Sequence, residues 1–552
     1  MIRTSITTVL LAAATAATAL AQAVPPAVRA AEASINPDNI RAHVKFLSDD
    51  LLEGRGPGLR GAEIAAQYIA TQFALDGLKP AGDAGTFLQQ VDFVGMKVKP
   101  AGTSASVVPT SGQPIPLAFG DDYTVSNRQL TPIVDIDAPI VFVGYGVIAP
   151  EFHWNDYAGI DVKGKVVMVI VGDPPSKDPA FFGGDALTYY GRWTYKFEEA
   201  ARQGAVGCLI IHRTDLASYG WDVVRNSNIS EKTYLRAQTG NQLKAASWIQ
   251  LDVARKIFAA AGLDLDHEFA AAGTPGFKAV PLPVNLKAHI TSTVRPFRSA
   301  NVVGMIPGAD KGPDQAVLYT AHYDHLGFVP DMAGDNIYNG AADNATGCGM
   351  LLEMARAWAA SGIHPPHSIL FASVTAEEQG LLGSQYLGEH PPLPAGQIAL
   401  DINYDMILPV GIPLEANVNG AQRTDFFPTV QATAKRFQLT IVPDPMPSAG
   451  TYYRSDHFSL SRVGIPAFSI DPGDLYEGHD AAWGHKIMED FNDHDYHNFS
   501  DNYHQDWDFA GNAKLDRFGM ELGWLALTAP HSIHWNHHDE FEAARLKSLN
   551  QE

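Results

Sequence analysis

The sequence predicts an α/β fold with a mostly parallel central sheet and helices on both faces. From residue 282 onward, short apolar runs typical of strands alternate with segments of helical periodicity. This pattern predicts strands at residues 284–291, 300–306, 316–320, 368–375 and 397–404, and helices at 345–360 and 380–388. Strands that alternate with helices favour parallel crossover connections, which place helices on both faces of the sheet.

The N-terminal part adds helices and then strands. Residues 36–52 and 61–78 show helical periodicity, and in the second segment Ile64, Tyr68 and Phe73 share one face. Between them, the run Gly-Arg-Gly-Pro-Gly at residues 54–58 breaks the helix. Residues 87–125 change to strand-like runs with polar turns.

A second module is expected at residues 131–280. It contains a strand and turn at 140–146, a buried strand at 164–172, and a helix at 197–205 that leads into another strand. This order, with the phrases Gly-Lys-Val-Val at 164–167 and Gly-Ala-Val-Gly at 204–207, resembles the protease-associated domain. The resemblance implies an accessory α/β domain inserted into the main one, and an unrelated α/β insertion is the alternative.

Composition limits the class of protein. A chain of 552 residues is too long for one core, so two or three domains are expected. The net charge of −22, from 61 acidic and 39 basic residues, argues against nucleic acid or an anionic membrane as a partner. Cys208 and Cys348 lie in apolar or small-residue surroundings and are expected to be buried, although one disulfide remains possible.

The N-terminus reads as a secretory signal peptide. A single arginine at position 3 precedes an apolar run at residues 9–20 and small-residue steps up to residue 23. The run is too short for a good transmembrane helix. Residues 1–23 are therefore expected to be a signal, with a disordered Ala-rich leader as the alternative, and the mature chain is expected in the periplasm or outside the cell.

Metal-ligating residue types follow the predicted strands. His322 ends one strand, Asp343 begins a glycine-rich helix start, and Glu377-Glu378 and Asp405 follow two further strands. Strand ends are where an open α/β sheet places its active site, and histidine with carboxylates suits Zn²⁺. Asp324, two residues after His322, could hold the imidazole in the right tautomer.

These residues resemble metallopeptidase family 28, the co-catalytic zinc aminopeptidases that include relatives of glutamate carboxypeptidase II. The shared landmarks, in order, are H-x-D, an Asp-Asn pair, Glu-Glu, N-x-D-M, S-D-H and a late Tyr-His. The resemblance implies a catalytic domain made of residues 36–130 and 281–552, of the zinc exopeptidase type, around the insertion.

The resemblance also implies the roles of individual residues. His322, Asp343 and Asp405 are expected to hold one zinc ion, and Asp343, Glu378 and His497 the other, so two Zn²⁺ are expected per chain. Glu377 is expected to be the general base, Asp324 to orient His322, and Tyr496 to hydrogen-bond the oxyanion. Residue types alone leave the last histidine open, and the competitors are His457, His479, His485, His494 and His504.

The implied activity is hydrolysis of N-terminal residues from peptides. The alternatives are a carboxypeptidase acting on a C-terminal acidic residue and a non-catalytic receptor-like binding protein. Arg454 could bind a substrate carboxylate, although a structural ion pair is the preferred interpretation. The tail histidines at 531, 534, 537 and 538 are expected to lie on a solvated surface near a helix start rather than to bind metal.

Overall fold

The computed structural model describes residues 24–217, 219–238, 240–310 and 315–550, so the predicted signal at 1–23 lies outside the described residues. In chain order, the strands of this part are β1 (Lys79–Pro80), β2 (Leu88–Val98), β3 (Ser104–Pro109), β4 (Ile115–Leu117), β5 (Tyr123–Ser126), β6 (Ile133–Phe142), β7 (Ile148–Ala149), β8 (Trp154–Asn155), β9 (Val166–Ile170), β10 (Gly207–His212), β11 (Lys232–Leu235), β12 (Ala245–Gln250), β13 (Val280–Ile306), β14 (Ala316–His322), β15 (Gly327–Phe328), β16 (Ile337–Tyr338), β17 (Ile369–Val374), β18 (Ile398–Asn403), β19 (Glu415–Asn417), β20 (Thr440–Val442), β21 (Ala467–Ser469) and β22 (Asp471–Pro472).

Helices connect most of the parallel strands. In chain order they are α1 (Pro26–Ser34), α2 (Pro37–Leu47), α3 (Arg60–Leu75), α4 (Trp193–Arg202), α5 (Thr214–Ala217), α6 (Trp221–Ile229), α7 (Leu251–Ala260), α8 (Leu265–Ala272), α9 (Thr346–Ala360), α10 (Leu382–Glu389), α11 (Phe427–Arg436), α12 (His457–Ser461), α13 (Ala481–His494), α14 (Ala510–Leu527) and α15 (Glu542–Leu549). The helices predicted around residues 345–360 and 380–388 correspond to α9 and α10.

The first sheet confirms the predicted fold class. Its strands lie in the order β21, β18, β14, β17, β13, and the first four run parallel to one another. Side chains alternate between its faces, as a pleated strand requires. Val317 and Tyr319 of β14 pack in the core with α9 and α14, whereas Leu318 packs in the core with α10 and α12 on the other face.

One long strand joins the two sheets. β13 pairs with β17 and β2 in the first sheet and with β3 and β6 in the second. The sequence predicts two shorter strands here, at residues 284–291 and 300–306. In the structure Pro296 lies opposite Val94 of β2 within the continuous strand, and the two predicted strands are its two ends.

The second sheet has a parallel core of β6, β9, β10 and β12, closed by antiparallel β5. The predicted boundary at residue 131 does not coincide with the boundary between the sheets, since β3 and β5 precede it and pair within the second sheet. This module also contacts segments outside residues 131–280, both before and after it in the chain. β11 pairs with β2, and the Leu187 N–H donates to the Pro447 carbonyl at 3.0 Å.

Two sequence expectations about apolar segments can be compared with the structure. Cys208 and Cys348 are buried and are not joined to each other. Across the part of the chain that the structure describes, helices are too short or too polar to cross a membrane.

Candidate metal centre

The predicted site residues follow the carboxyl ends of three neighbouring strands. His322 is the last residue of β14, Glu377 and Glu378 follow β17, and Asp405 follows β18. Because β14 lies between β17 and β18 and runs parallel to both, these strand ends meet at one edge of the sheet. Asp343 joins them from the irregular turn that leads into α9.

Asp343 lies between two histidines. Its Oδ1 is 3.3 Å from His322 Nε2, and its Oδ2 is 3.3 Å from His497 Nε2. A second carboxylate stands beside each histidine. Asp405 Oδ1 is 3.1 Å from His322 Nε2, and Glu378 Oε2 is 3.0 Å from His497 Nε2. The structure therefore forms two groups, each of one histidine and two carboxylates, that share Asp343.

Glu377 belongs to the His322 side of the centre. Ligand-capable atoms of His322, Glu377 and Asp405 all lie within 4.8 Å of one another. Burial raises the pKa of Glu377 well above its usual value, and the neighbouring carboxylates of Glu378 and Asp405 act in the same direction. Its carboxylate is consequently a stronger base than that of an exposed glutamate.

Asp324 acts on its neighbours in a way that the sequence does not indicate. His322 Nδ1 lies 3.2 Å from the backbone carbonyl oxygen of Asp324, whereas the Asp324 carboxylate is 3.9 Å from the same nitrogen. The carboxylate instead accepts the Glu377 N–H at 3.1 Å. Asp324 thus holds the ring through its main chain and the backbone of Glu377 through its side chain.

Tyr496 lies beside the centre and is 44% exposed. Its ring stacks on His497 with the centroids 3.9 Å apart. Partial burial raises the pKa of the phenol, and the charges of Asp343 and Glu378 add to the effect. The hydroxyl therefore stays protonated near neutral pH and can donate a hydrogen bond into the site.

The electrostatics of the cluster favour positive charge. Burial alone lowers the pKa of His497, yet its contacts with Asp343 and Glu378 raise that pKa to about 10. The pKa of His322 is raised in the same way, against its burial, by Asp405 and Glu377. Two imidazoles surrounded by converging carboxylates form a donor set that suits divalent zinc, and the two oxygens of Asp343 face separate groups. The residues present therefore fit two ions.

His325 is a member of the centre that the sequence analysis missed. Its Nδ1 lies 2.6 Å from Glu378 Oε1, so the two oxygens of Glu378 face His325 and His497. The ring is fully buried and packs against Gly340, where a Cβ atom would lie 2.5 Å from the His325 ring. The only sequence signal is its position three residues after His322.

Arg55 is a second residue that was missed, because it lies in a run interpreted only as a helix breaker. Its guanidinium is completely buried and donates to the carbonyl oxygens of Tyr323 at 2.6 Å, Asn339 at 2.6 Å and Gly340 at 2.8 Å. A fourth carbonyl acceptor is Leu47. Arg55 therefore fixes the chain just after His322 and just before Asp343.

Asp501 and Asn344 connect the remaining loops. The two carboxylate oxygens of Asp501 accept the N–H groups of Ala342 and Asp343 at 2.8 and 3.0 Å, which ties the loop after His497 to the shared carboxylate. The side chain of Asn344 accepts the Met406 N–H at 3.1 Å and so joins the Asp343 and Asp405 loops. The ligand-bearing loops are thus held by polar contacts to one another.

His457 and Arg454 lie outside the two groups. His457 is buried, its ring packs edge-on to Tyr452 at 4.7 Å, and burial lowers its pKa to about 3. Arg454 is exposed, and its Nε donates to the Ala449 carbonyl at 3.2 Å. Within the described residues Arg454 has no carboxylate in ion-pair range, so the predicted structural ion pair is absent there. The adjacent Ser455 donates to Asp405 Oδ2 at 2.6 Å.

We expect replacement of His497 and His457 to have different effects on metal content. His497→Ala should remove one of two bound ions, because it deletes the imidazole that lies beside both Asp343 and Glu378 while leaving His322 and Asp405 intact. His457→Ala should leave the metal-to-protein ratio unchanged. Elemental analysis of both purified variants distinguishes the two residues, and loss of an ion from the His457 variant alone would transfer the ligand role to that residue.

Comparison with known families agrees with this geometry. A model of peptidase family M28 matches residues 301–516, a segment that contains both histidine groups and Glu377. Leupeptin-inactivating enzyme 1 of Streptomyces exfoliatus is 30% identical over 225 residues, which are 38% of this chain and 45% of that protein. Aminopeptidase YwaD of Bacillus subtilis is 37% identical over 108 residues, which are 19% of this chain and 20% of that protein.

The chain spans less than half the length of these curated relatives. Among solved structures, an aminopeptidase from Aneurinibacillus sp. strain AM-1 aligns with a TM-score of 0.46 at 18% identity, over 90% of this chain and 94% of that chain.

Proposed function

Because a model of peptidase family M28 matches residues 301–516, we propose that the protein is an exported two-zinc aminopeptidase that releases N-terminal residues from peptides. Export rests on the predicted signal at residues 1–23, which precedes the described residues. The single observation that carries the enzymatic proposal is the position of Asp343, whose two oxygens each lie 3.3 Å from a different histidine.

The zinc ions would be held by His322, Asp343 and Asp405 on one side and by Asp343, Glu378 and His497 on the other. When bound, zinc supplies Lewis acidity, which polarises a peptide carbonyl and acidifies a water molecule at neutral pH. A carboxylate shared between two such groups keeps them close together. The side chains around the centre then provide the proton transfers and the hydrogen bonds.

Glu377 is the proposed general base. Its carboxylate would accept a proton from the attacking water and deliver it to the leaving amine nitrogen. The raised pKa of Glu377, caused by burial and by neighbouring acids, supports this role because it lets the carboxyl group hold the proton between the two transfers. The contact from its N–H to Asp324 fixes the backbone from which the carboxylate extends.

Tyr496 is the proposed donor to the oxyanion of the tetrahedral intermediate. Its phenol is protonated near neutral pH, because burial and the nearby carboxylates raise its pKa. A donor aimed at the oxygen on which charge develops stabilises the transition state more than the substrate. Stacking on His497 restricts the ring to the edge of the centre.

The substrate end is proposed to be a free α-ammonium group. The carboxylates of Glu377, Glu378 and Asp405 meet at the strand ends, and a cation is electrostatically favoured beside them. A substrate carboxylate would need a dedicated arginine or lysine. The guanidinium of Arg55 is committed to backbone carbonyls, and the Nε of Arg454 is directed to the Ala449 carbonyl.

We expect aminoacyl-p-nitroanilides to be hydrolysed and their N-acetylated forms to react roughly 10- to 100-fold more slowly, the effect of losing one or two charge-assisted hydrogen bonds. Chromatography of peptide products provides a second measurement of which end is released. Arg454→Ala serves as the matched control and should leave hydrolysis of these substrates unchanged, because they carry no carboxylate for an arginine to bind. Equal rates on blocked and free substrates, or release of C-terminal residues that depends on Arg454, would favour the carboxypeptidase alternative.

A further inference from the structure

We propose a further metal site, distinct from the M28 centre, in which Asp425, His531 and His534 bind a divalent transition-metal cation, with Zn²⁺ as the expected ion. The ligand-capable atoms of the three side chains all lie within 4.8 Å of one another. Asp425 Oδ2 is 3.9 Å from His531 Nδ1 and 3.7 Å from His534 Nδ1. A single carboxylate oxygen therefore faces two imidazole nitrogens.

The backbone holds two of these ligands in a fixed relation. The Asp425 N–H donates to the His534 carbonyl and the His534 N–H donates to Asp425 Oδ1, both at 3.0 Å. The neighbouring residues Thr424 and Trp535 form an antiparallel bridge, and Trp535 is buried. Because Oδ1 is occupied by the His534 backbone, Oδ2 is the oxygen left to face the rings.

The distances fit a cation better than direct hydrogen bonds. Separations of 3.7 and 3.9 Å from Asp425 Oδ2 exceed those of N–H···O bonds. Zinc binds imidazole nitrogen and carboxylate oxygen at about 2.0–2.2 Å, which places tetrahedral donor atoms about 3.4 Å apart. Small side-chain rotations would close the difference. His531 must also give up a 3.1 Å contact between its Nδ1 and the Ser532 carbonyl.

The other tail histidines behave as the sequence predicts. His537 Nδ1 lies 3.0 Å from Glu542 Oε1, and the His538 N–H donates to Glu542 Oε2 at 2.9 Å, at the start of α15. His531 and His534 instead face Asp425, which is 106 positions before His531 in the printed sequence (531 − 425). This long separation explains why the sequence gives no indication of the site.

An ion at this position would fasten the C-terminal tail to the rest of the fold. Arg423, two residues before Asp425, pairs with Asp539 at 2.7 Å and with Glu540 at 2.7 Å. Glu540 also accepts the Tyr453 hydroxyl at 2.6 Å. The tail thus contacts the segment that precedes Ser455. A metal ion bound by Asp425, His531 and His534 is expected to stabilise the position of the tail.

The test is a titration in which Zn²⁺ alone is added to the zinc-loaded enzyme near neutral pH. Isothermal titration calorimetry measures how many equivalents bind. We expect the protein to bind one equivalent beyond its active-site complement. The double variant His531→Ala/His534→Ala should lose this equivalent. It should keep its turnover, because both replaced histidines lie outside the catalytic centre. His537→Ala, in the same exposed tail, is the matched control and should bind like the unmodified protein.

A thermal measurement provides a second readout that does not involve activity. At about 100 times its Kd, Zn²⁺ should raise the melting temperature of the unmodified protein and the His537 variant by roughly 2–5 °C, and should not raise that of the double variant. Absence of the extra equivalent in the unmodified protein would overturn the proposal. An extra equivalent that persists in the double variant, which marks an adventitious ion only, would overturn it as well.

Discussion

Glu377→Gln is expected to lower kcat by roughly 10²- to 10⁴-fold while both metal ions remain bound. Glutamine has nearly the same shape but cannot accept the proton of the attacking water. The ligands on both sides of Asp343 are untouched by the change. Steady-state kinetics combined with elemental analysis of the same preparation measures the two consequences separately.

Glu378→Gln is the matched control, since it alters the adjacent residue in the same chemical way. Its two carboxylate oxygens contact His497 at 3.0 Å and His325 at 2.6 Å, so loss of charge there should release the ion on that side. If Glu378→Gln kept both ions and lost only turnover, while Glu377→Gln lost an ion, the base and ligand assignments would be reversed.

Asp343→Ala is expected to lose both ions and all detectable hydrolysis. Each group depends on one oxygen of this carboxylate, so its removal takes one expected ligand from each ion. Asp405→Ala is the comparison, because Asp405 belongs to one of the two groups, 3.1 Å from His322, and its loss should release a single ion.

Elemental analysis and circular dichroism of the folded variants test this prediction. An Asp343 variant that is folded and retains one tightly bound ion would show that the carboxylate is not shared. Retention of both ions would remove the basis of the proposed centre.

The central sheet and the positions of the site residues could be predicted because their signals are local. Strand and helix periodicity marks the ends of β14, β17 and β18, and parallel strands bring those ends together at one edge of the sheet. The chain positions of His322, Glu378 and Asp405 therefore already imply that they are neighbours. His497 could be preferred over its competitors only from the resemblance to the family.

Other features depend on contacts between residues far apart in the chain. The strands predicted at residues 284–291 and 300–306 belong to one strand, β13, which is continuous because it is paired along its length with different partner strands. Arg55 lies in a run that the sequence marks only as a helix breaker, and its carbonyl acceptors near His322 and Asp343 are far from it in the chain. The buried Arg55 guanidinium holds the backbone segments that carry His322 and Asp343.

The contact between the second module and the C-terminal tail could not be predicted from sequence patterns either. The Tyr189 ring packs on Phe458 with the centroids 5.1 Å apart, and its N–H donates to Glu540 at 3.3 Å. Aromatic residues in a loop give no indication of their partners. The structure places this module against Phe458, four residues after Arg454.

The measurement that tests the central claim most directly is anomalous diffraction at the zinc edge from crystals of the purified enzyme. We predict two strong peaks on opposite sides of Asp343, one bound by His322 and Asp405 and the other by Glu378 and His497. A single peak at this carboxylate, or zinc bound only elsewhere in the molecule, would contradict the two-zinc centre.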